Sequence, residues 1–192
     1  MFEFLWTKVK SMSSAKDIFF MAVSEIKLHY PEYTFMVNRD LAWILQKKMN
    51  RLIEENGVAL ELYHDYPLEK GFQERKDNEL VIVLQGTNYR DILASKSQAE
   101  LVIRVLFEPS KKRSDICNHH LPRILIPQLR DEIETTQSIV QSGYTKEAIC
   151  LLIDEYSRHR NQIIQNENII WTTWGNYDDS GLNVSTLLVQ YT

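Results

Sequence analysis

Two apolar segments of this chain carry the charged residues whose types and spacing are best suited to chemistry. The first, residues 79–84, begins with the carboxylate of Glu79, and the second, residues 99–108, is followed by Pro109. Because side chains alternate along a strand, Arg104 and Leu106 share one face of the second segment, opposite an apolar face. If the segments pair, the guanidinium of Arg104 would repel a divalent cation near Glu79 and would satisfy that carboxylate itself.

Two short basic clusters offer contacts for phosphate groups. They consist of Lys111, Lys112 and Arg113 in one place and of Arg158, His159 and Arg160 in another. Exposed cations of this kind are more often simply solvated, so each cluster keeps two interpretations. If both clusters lie at one end of a sheet, they predict a phosphate-binding surface despite the acidic composition.

A third polar segment, residues 115–120, contains residue types that bind metals. These are Asp115, Cys117, His119 and His120. Structural zinc sites use such ligands, but normally as two separated pairs, and no second pair stands elsewhere in the sequence. We therefore expect a polar loop here and no metal site.

The composition is that of an ordinary globular protein. The chain has 192 residues, 44% of them hydrophobic and 25% charged, and its formal net charge is −4. Nucleic-acid binding would therefore need a local basic patch. The length predicts one domain, residues 1–192. An acid near the N-terminus and a longest early apolar run of only residues 18–23 predict a cytoplasmic protein without a signal peptide or a membrane partner. Its two cysteines are expected to be free thiols.

Hydrophobic periodicity and turn residues predict three helices and eight strands. The helices span residues 14–30, 39–56 and 127–141, and the strands span residues 33–37, 58–64, 79–84, 99–108, 121–126, 148–153, 169–174 and 184–191. This order predicts an α/β (α+β) protein with a mixed central sheet flanked by helices.

Without the short predicted strand at 121–126, the predicted order from residue 39 to residue 154 is αβββαβ. This order, with several local segments, resembles the PD-(D/E)XK, or restriction-endonuclease-like, superfamily of nucleases. The resemblance implies a nuclease-like core at 39–154, an extra N-terminal helix and strand at 1–38, and a C-terminal strand extension at 155–192. In that family an Asp and a Glu on neighbouring strands bind Mg²⁺, which prefers carboxylate oxygens. The metal activates the attacking water, and a Lys two residues after the Glu assists it.

Carried over residue by residue, the resemblance places the family's Asp at Glu79, with Asp77 as an alternative. The Glu position falls on Arg104 and the Lys position on Leu106, so two of the three central catalytic groups are replaced. Each of these groups normally contributes substantially to transition-state stabilisation, so their replacement implies that hydrolysis is lost.

Three acids are candidates to rescue a metal site: Asp77, Glu100 and Asp40. Glu100 shares the face of Arg104 but lies about 13 Å away along the strand, at ~3.3 Å per residue. Asp40, on the preceding helix, would contribute a carboxylate but not the missing pair of groups. None of them replaces that pair cleanly.

We therefore expect a nuclease-like protein without catalytic activity, a pseudoenzyme with no cofactor, that binds a nucleic acid or a protein partner. Two alternatives stay open. One is an active Mg²⁺-dependent endonuclease with relocated catalytic residues. The other is a protein-interaction module without a nucleic-acid role, which the acidic charge balance mildly favours. The sequence also leaves a homodimer open.

Overall fold

Six strands form one mixed sheet with helices packed against both of its faces. The computed structural model describes residues 14–64, 78–110, 123–155, 157–176 and 183–192. The helices in this part are α1 (Ala15–Leu28), α2 (Asn38–Asn56), α3 (Tyr89–Leu93) and α4 (Ile126–Gln141), with a short 3-10 helix at Tyr30–Glu32. The strands are β1 (Leu60–His64), β2 (Glu79–Leu84), β3 (Leu101–Glu108), β4 (Ala148–Asp154), β5 (Ile169–Asn176) and β6 (Asn183–Tyr191).

The sheet combines antiparallel and parallel neighbours in the order β1-β2-β3-β4-β6-β5. Strands β1, β2 and β3 are antiparallel in turn, β3 and β4 are parallel, and β6 is antiparallel to both β4 and β5. A parallel pair needs a crossover connection, and α4 lies in it. The prediction of an α/β protein with a helix-flanked mixed sheet is confirmed. The short helix α3, in a polar connection, was not predicted.

Helix α2 differs from its predicted bounds by one residue at its start. Its buried residues recur at three- and four-residue intervals and face α1 and the sheet: Leu41, Ala42, Leu45, Met49, Leu52 and Ile53. Gly57 ends the helix in the left-handed conformation, at φ 59°, which glycine adopts without steric cost. No helix of the described part combines the length and the apolar composition needed to cross a membrane.

Both faces of β3 are buried, including the face that the sequence predicted to be mixed. One face belongs to a core shared with α1 and α2, through Leu101, Ile103, Val105 and Phe107. On the opposite face, Leu106 and Val102 belong to two smaller clusters that include apolar residues of α4. Arg104 lies between them on this second face, so a guanidinium is placed inside the protein.

The predicted strand at residues 33–37 is wrong, because this segment is irregular and leads into α2. The N–H groups of Met36 and Val37 donate to Oδ2 of Asp40, at 2.9 and 3.1 Å, instead of pairing with a strand. The apolar residues of this segment therefore alternate because of their burial against the core, and not because the segment pairs in the sheet.

The predicted strand at residues 121–126 is wrong in its described part, where residues 123–125 are irregular and α4 follows. The N–H of Ile124 donates to Oε2 of Glu108 at 2.7 Å. A side-chain acceptor thus replaces the strand partner that an extended segment would otherwise need. The first two residues of the prediction lie outside the described part.

Phe35 fixes the irregular segment to the core, and its removal tests this role. Its ring is 2% exposed and lies 5.2 to 5.9 Å, between centroids, from three other rings: Tyr30, Tyr33 and Phe107. We expect Phe35→Ala to lower the free energy of unfolding by about 3–5 kcal/mol in urea denaturation. The exposed neighbour Thr34 provides the control, since Thr34→Ala should change it by less than about 0.5 kcal/mol. Equal effects of the two substitutions would contradict this account.

Candidate functional site

Among the described residues, Arg104 has the largest completely buried side chain, with 1% of its surface exposed. It faces Glu79 because the two residues are direct partners in the antiparallel register of β2 and β3. Nη1 of Arg104 donates to Oε2 of Glu79 at 3.1 Å. The two charged residues that the sequence singled out are therefore joined in a buried ion pair.

A third residue, Glu132 on α4, completes the group. Nε of Arg104 donates to Oε2 of Glu132 at 2.5 Å, and Nη2 of Arg104 pairs with the same oxygen. We call Glu79, Arg104 and Glu132 the charged triad. The sequence reasoning missed Glu132, although a signal existed. Glu132 lies three residues after Leu129 and four before Thr136, on the buried side of the predicted helix.

The charged triad is largely removed from water. The exposed fractions of the side chains are 7% for Glu79, 1% for Arg104 and 24% for Glu132. Desolvation of the three ions costs free energy, which their mutual attraction and hydrogen bonds offset. Such a group adds little net stability as a whole, but the loss of one member leaves an uncompensated buried charge.

Cys150 is the residue of β4 that lies opposite Arg104 in the parallel register. Burial raises the pKa of the Cys150 thiol to about 12, and the carboxylate of Glu132 acts in the same direction. Arg104 and a hydrogen bond with Thr136 lower the pKa but do not reverse the shift. The thiol stays protonated at neutral pH and is not a nucleophile.

A cleft of about 540 Å³ lies beside the charged triad, between the start of α2, the end of β3 and the start of α4. Leu106 and Glu132 line its inner side, and Arg39 and Arg123 line it from the two helix starts. The N–H of Phe107 donates to Oδ1 of Asn38 at 2.8 Å, so α2 begins directly against β3. We call this space the β3 cleft.

The residues of the triad do not fit the Mg²⁺ ion that the resemblance implies. This ion needs carboxylate oxygens together with bound waters in a near-octahedral arrangement. Here a fixed guanidinium holds one oxygen of Glu79 and one of Glu132, and Leu106 adds an alkyl chain. Within the described ranges, no group of three or more His, Cys, Asp or Glu side chains is placed to hold a metal ion.

The acids considered as rescue ligands have other partners or lie outside the described residues. Asp40 accepts two backbone N–H groups at the start of α2. Glu100 precedes β3 at its other end, where Oε1 accepts from Nζ of Lys146 at 2.6 Å. Asp77 belongs to the residues that the structure does not describe. The structure therefore brings neither Asp40 nor Glu100 to the triad.

The three residues of the basic cluster at 158–160 differ in how far they are buried. Nη2 of Arg158 donates to the carbonyl of Ile124 at 2.6 Å, and its Nη1 lies 3.7 Å from Oε1 of Glu108. The ring of His159 is completely buried, so it cannot contact a phosphate at the surface, whereas Arg160 is exposed. The expectation for His159 is corrected accordingly. The other candidates lie outside the described residues: Lys111, Lys112, Arg113 and the polar segment 115–120.

A second buried polar group, which was not predicted, lies at the C-terminal ends of the parallel strands. Glu108 and Asp154 end β3 and β4 as direct partners in the register. Glu155 follows, and it accepts the hydroxyl of Tyr30 and the N–H of Ser110, both at 2.9 Å. These acids accept N–H groups of the connecting segments, so they fix the loops that leave the sheet.

His159 is part of this second group. Its backbone N–H donates to Oδ2 of Asp154 at 3.0 Å, while neither ring nitrogen has a hydrogen-bond partner among the described residues. Burial lowers the pKa of His159, an effect that Asp154 opposes and Arg158 reinforces. Burial also raises the pKa of Glu108, which the N–H of Ile124 and the charge of Arg158 counteract. His159 is therefore neutral at neutral pH.

Comparisons with known proteins give no family assignment. No protein-family model, no curated protein and no solved structure matches this chain. The fold is therefore described by its strand order and connections alone. Membership of the superfamily stays a hypothesis that depends on the sequence resemblance.

Removal of the buried cation tests the charged triad. We expect Arg104→Met to lower the free energy of unfolding by about 3–5 kcal/mol in urea at pH 7, because two carboxylates lose their cation. The exposed residue Arg160 provides a matched control, and Arg160→Met should change the value by less than about 0.5 kcal/mol. Adding Glu79→Gln to Arg104→Met should recover part of the loss. If no stability returns, the two residues are not coupled.

The buried histidine predicts a specific dependence of stability on pH. Because the pKa of His159 is lowered in the folded state, the unfolded chain binds a proton first as the pH falls below about 6.5. The neutral ring of His159 therefore contributes folding stability above that pH. This contribution is lost as the pH falls towards the pKa of His159 in the folded protein. We expect unfolding free energies measured from pH 7.5 to pH 5.5 to fall more for the wild type than for His159→Phe. Titrating groups that do not act on His159, such as Glu108, cancel in this comparison, and parallel curves would contradict the assignment.

Proposed function

We propose that this protein is a catalytically inactive relative of the PD-(D/E)XK nucleases that binds nucleic acid without cleaving it. The observation that carries the proposal is the charged triad. The guanidinium of Arg104 pairs with Glu79 and Glu132 at the position where the resemblance implies a metal-binding acid. The antiparallel pairing of β2 with β3 and the parallel pairing of β3 with β4 support a nuclease-like core of the order αβββαβ.

Two physical effects argue against hydrolysis at this position. A divalent cation would have to displace a buried guanidinium that already pairs with one oxygen of Glu79 and one of Glu132. The isobutyl group of Leu106 can neither orient a water molecule nor stabilise charge that develops on a phosphate. Both side chains are well packed, so the substitutions are compatible with the fold while they remove the chemistry.

The β3 cleft supports a binding role. Arg39 and Arg123 lie at its rim, both are exposed, and neither has an ion pair within the described residues. Exposed guanidinium groups that have no ion pair in the described part of the chain are available for phosphate groups. These two arginines supply local positive charge at the rim of the cleft, whose lining also includes the acids Asp131 and Glu132.

A protein-interaction module without a nucleic-acid role is the second candidate, and the formal net charge of −4 is the observation that favours it. The two functions differ in their response to salt. Phosphate contacts release counterions, so nucleic-acid affinity falls steeply and linearly on a double-logarithmic salt plot.

Cleavage assays test the proposal directly. Purified protein should leave plasmid, single-stranded DNA and RNA intact with Mg²⁺ or Mn²⁺, because the cation site is filled by Arg104. The matched control is Glu79→Ala, which should be equally inactive. Cleavage by the wild type that disappears in Glu79→Ala would overturn the proposal and would support an active nuclease with relocated residues.

Restoring the family's motif tests the same assignment in the opposite direction. The double variant Arg104→Glu with Leu106→Lys places a third carboxylate beside Glu79 and Glu132. We expect Mg²⁺ to raise the thermal midpoint of this variant at constant ionic strength, since a ligand that binds the folded state stabilises it. The wild-type midpoint should not respond. A specific response of the wild type to Mg²⁺ would contradict the proposal.

A further inference from the structure

Helix α2 presents a regular row of exposed residues on the side that faces away from the core. Arg39, Trp43, Lys47 and Arg51 are exposed and follow one another at intervals of four residues. Residues four apart on a helix are neighbours on its surface. They therefore form a continuous row, which we call the α2 stripe.

The cations of the α2 stripe differ in their partners. Arg51 pairs with Glu25 and Glu55, at 2.6 and 2.8 Å. Arg39 and Lys47 have no ion pair within the described residues. Among the described residues, the positive charge without an ion pair therefore lies on the first three turns of the helix, and the acids near Arg51 mark its end.

Trp43 lies between these two cations and is 61% exposed. Nζ of Lys47 lies 5.9 Å from the centroid of its ring. Asp40 is the acid nearest to it along the helix, and its carboxylate is engaged by the N–H groups of Met36 and Val37. A large exposed aromatic ring is thus accessible from solution, between two cations for which the described ranges contain no ion pair.

The stripe continues into the β3 cleft. Arg39 belongs to both, and Arg123 faces it from the start of α4. At 1.5 Å per residue, Arg39 and Lys47 are about 12 Å apart along the helix, so the basic surface extends well beyond the cleft.

We propose that the α2 stripe is a binding surface for single-stranded nucleic acid, an inference that depends on the proposed nucleic-acid function and specifies its site. A base stacks on the ring of Trp43, and Arg39, Lys47 and Arg123 contact the flanking phosphates. Stacking requires an unpaired base, and it tolerates any base because each has a π face. The alternation of one exposed aromatic ring with exposed cations matches this ligand better than a duplex, whose bases are stacked internally.

The experiment measures the fluorescence anisotropy of a labelled oligothymidylate and of a duplex of equal length, with protein added at several salt concentrations. We expect the wild type to bind the single strand more tightly than the duplex. Trp43→Ala should weaken the single-strand complex by about 5- to 150-fold, the equivalent of one stacked base. Trp43→Phe, which keeps a ring for stacking, should retain most of the affinity.

A second pair of variants tests whether the positive charge of Lys47 contacts a phosphate. Lys47→Gln should lower the slope of log affinity against log salt by roughly 0.7, the value for one phosphate contact on a single strand. Lys47→Arg should keep the wild-type slope. Both substituted positions, Trp43 and Lys47, are exposed, and unchanged thermal midpoints will show that the four variants remain folded.

The outcomes separate this inference from the proposed function. If the wild type binds nucleic acid and Trp43→Ala binds equally well, the stripe is not the site, although the proposed function stands. If no nucleic acid binds, both are overturned. If a polyglutamate peptide binds with the same sensitivity to Trp43→Ala while the oligonucleotide does not, the stripe serves an acidic protein partner and the inference is wrong.

Discussion

A guanidinium buried between two carboxylates joins three elements of this protein. Arg104 projects from the central strand β3, Glu79 from β2 and Glu132 from α4. Ions with so little access to water are tolerated only when each is paired, so the positions of the three elements are coupled. The triad also fixes the register of β2 against β3. A slip by one residue would move Glu79 to the opposite face and would leave Arg104 without one of its partners.

This constraint determines what the central strand can do. Its position inside the sheet would suit catalytic groups that must be held rigidly, but the charged groups present there are paired with one another. The Cys150 thiol, across from Arg104, is kept protonated by burial and by Glu132. The buried acids at the strand ends accept N–H groups of the neighbouring loops. The interior polar groups thus serve the structure, and the groups available to a ligand lie at the cleft and on the outer face of α2.

Helix α2 connects these two roles. Its inner face supplies six buried residues to the core, and its first residue, Asn38, accepts the N–H of Phe107 in β3. This packing holds the helix rigidly against the sheet, so the exposed residues Arg39, Trp43 and Lys47 are presented at fixed spacing. A rigid scaffold with an accessible outer face is well suited to recognition without chemistry.

The sequence by itself determined most elements, because hydrophobic periodicity and strand alternation are local properties of the chain. The proximity of Glu79 to Arg104 was implied only by the family resemblance. It predicted β2 to the residue and α2 and α4 within one residue. Tertiary structure alone decided the rest. Glu132 reaches Arg104 across 28 residues, Asp40 and Glu108 satisfy N–H groups in segments that periodicity had predicted as strands, and His159 is buried. Each of these depends on which distant group supplies a hydrogen bond or excludes water, and local spacing does not contain that information.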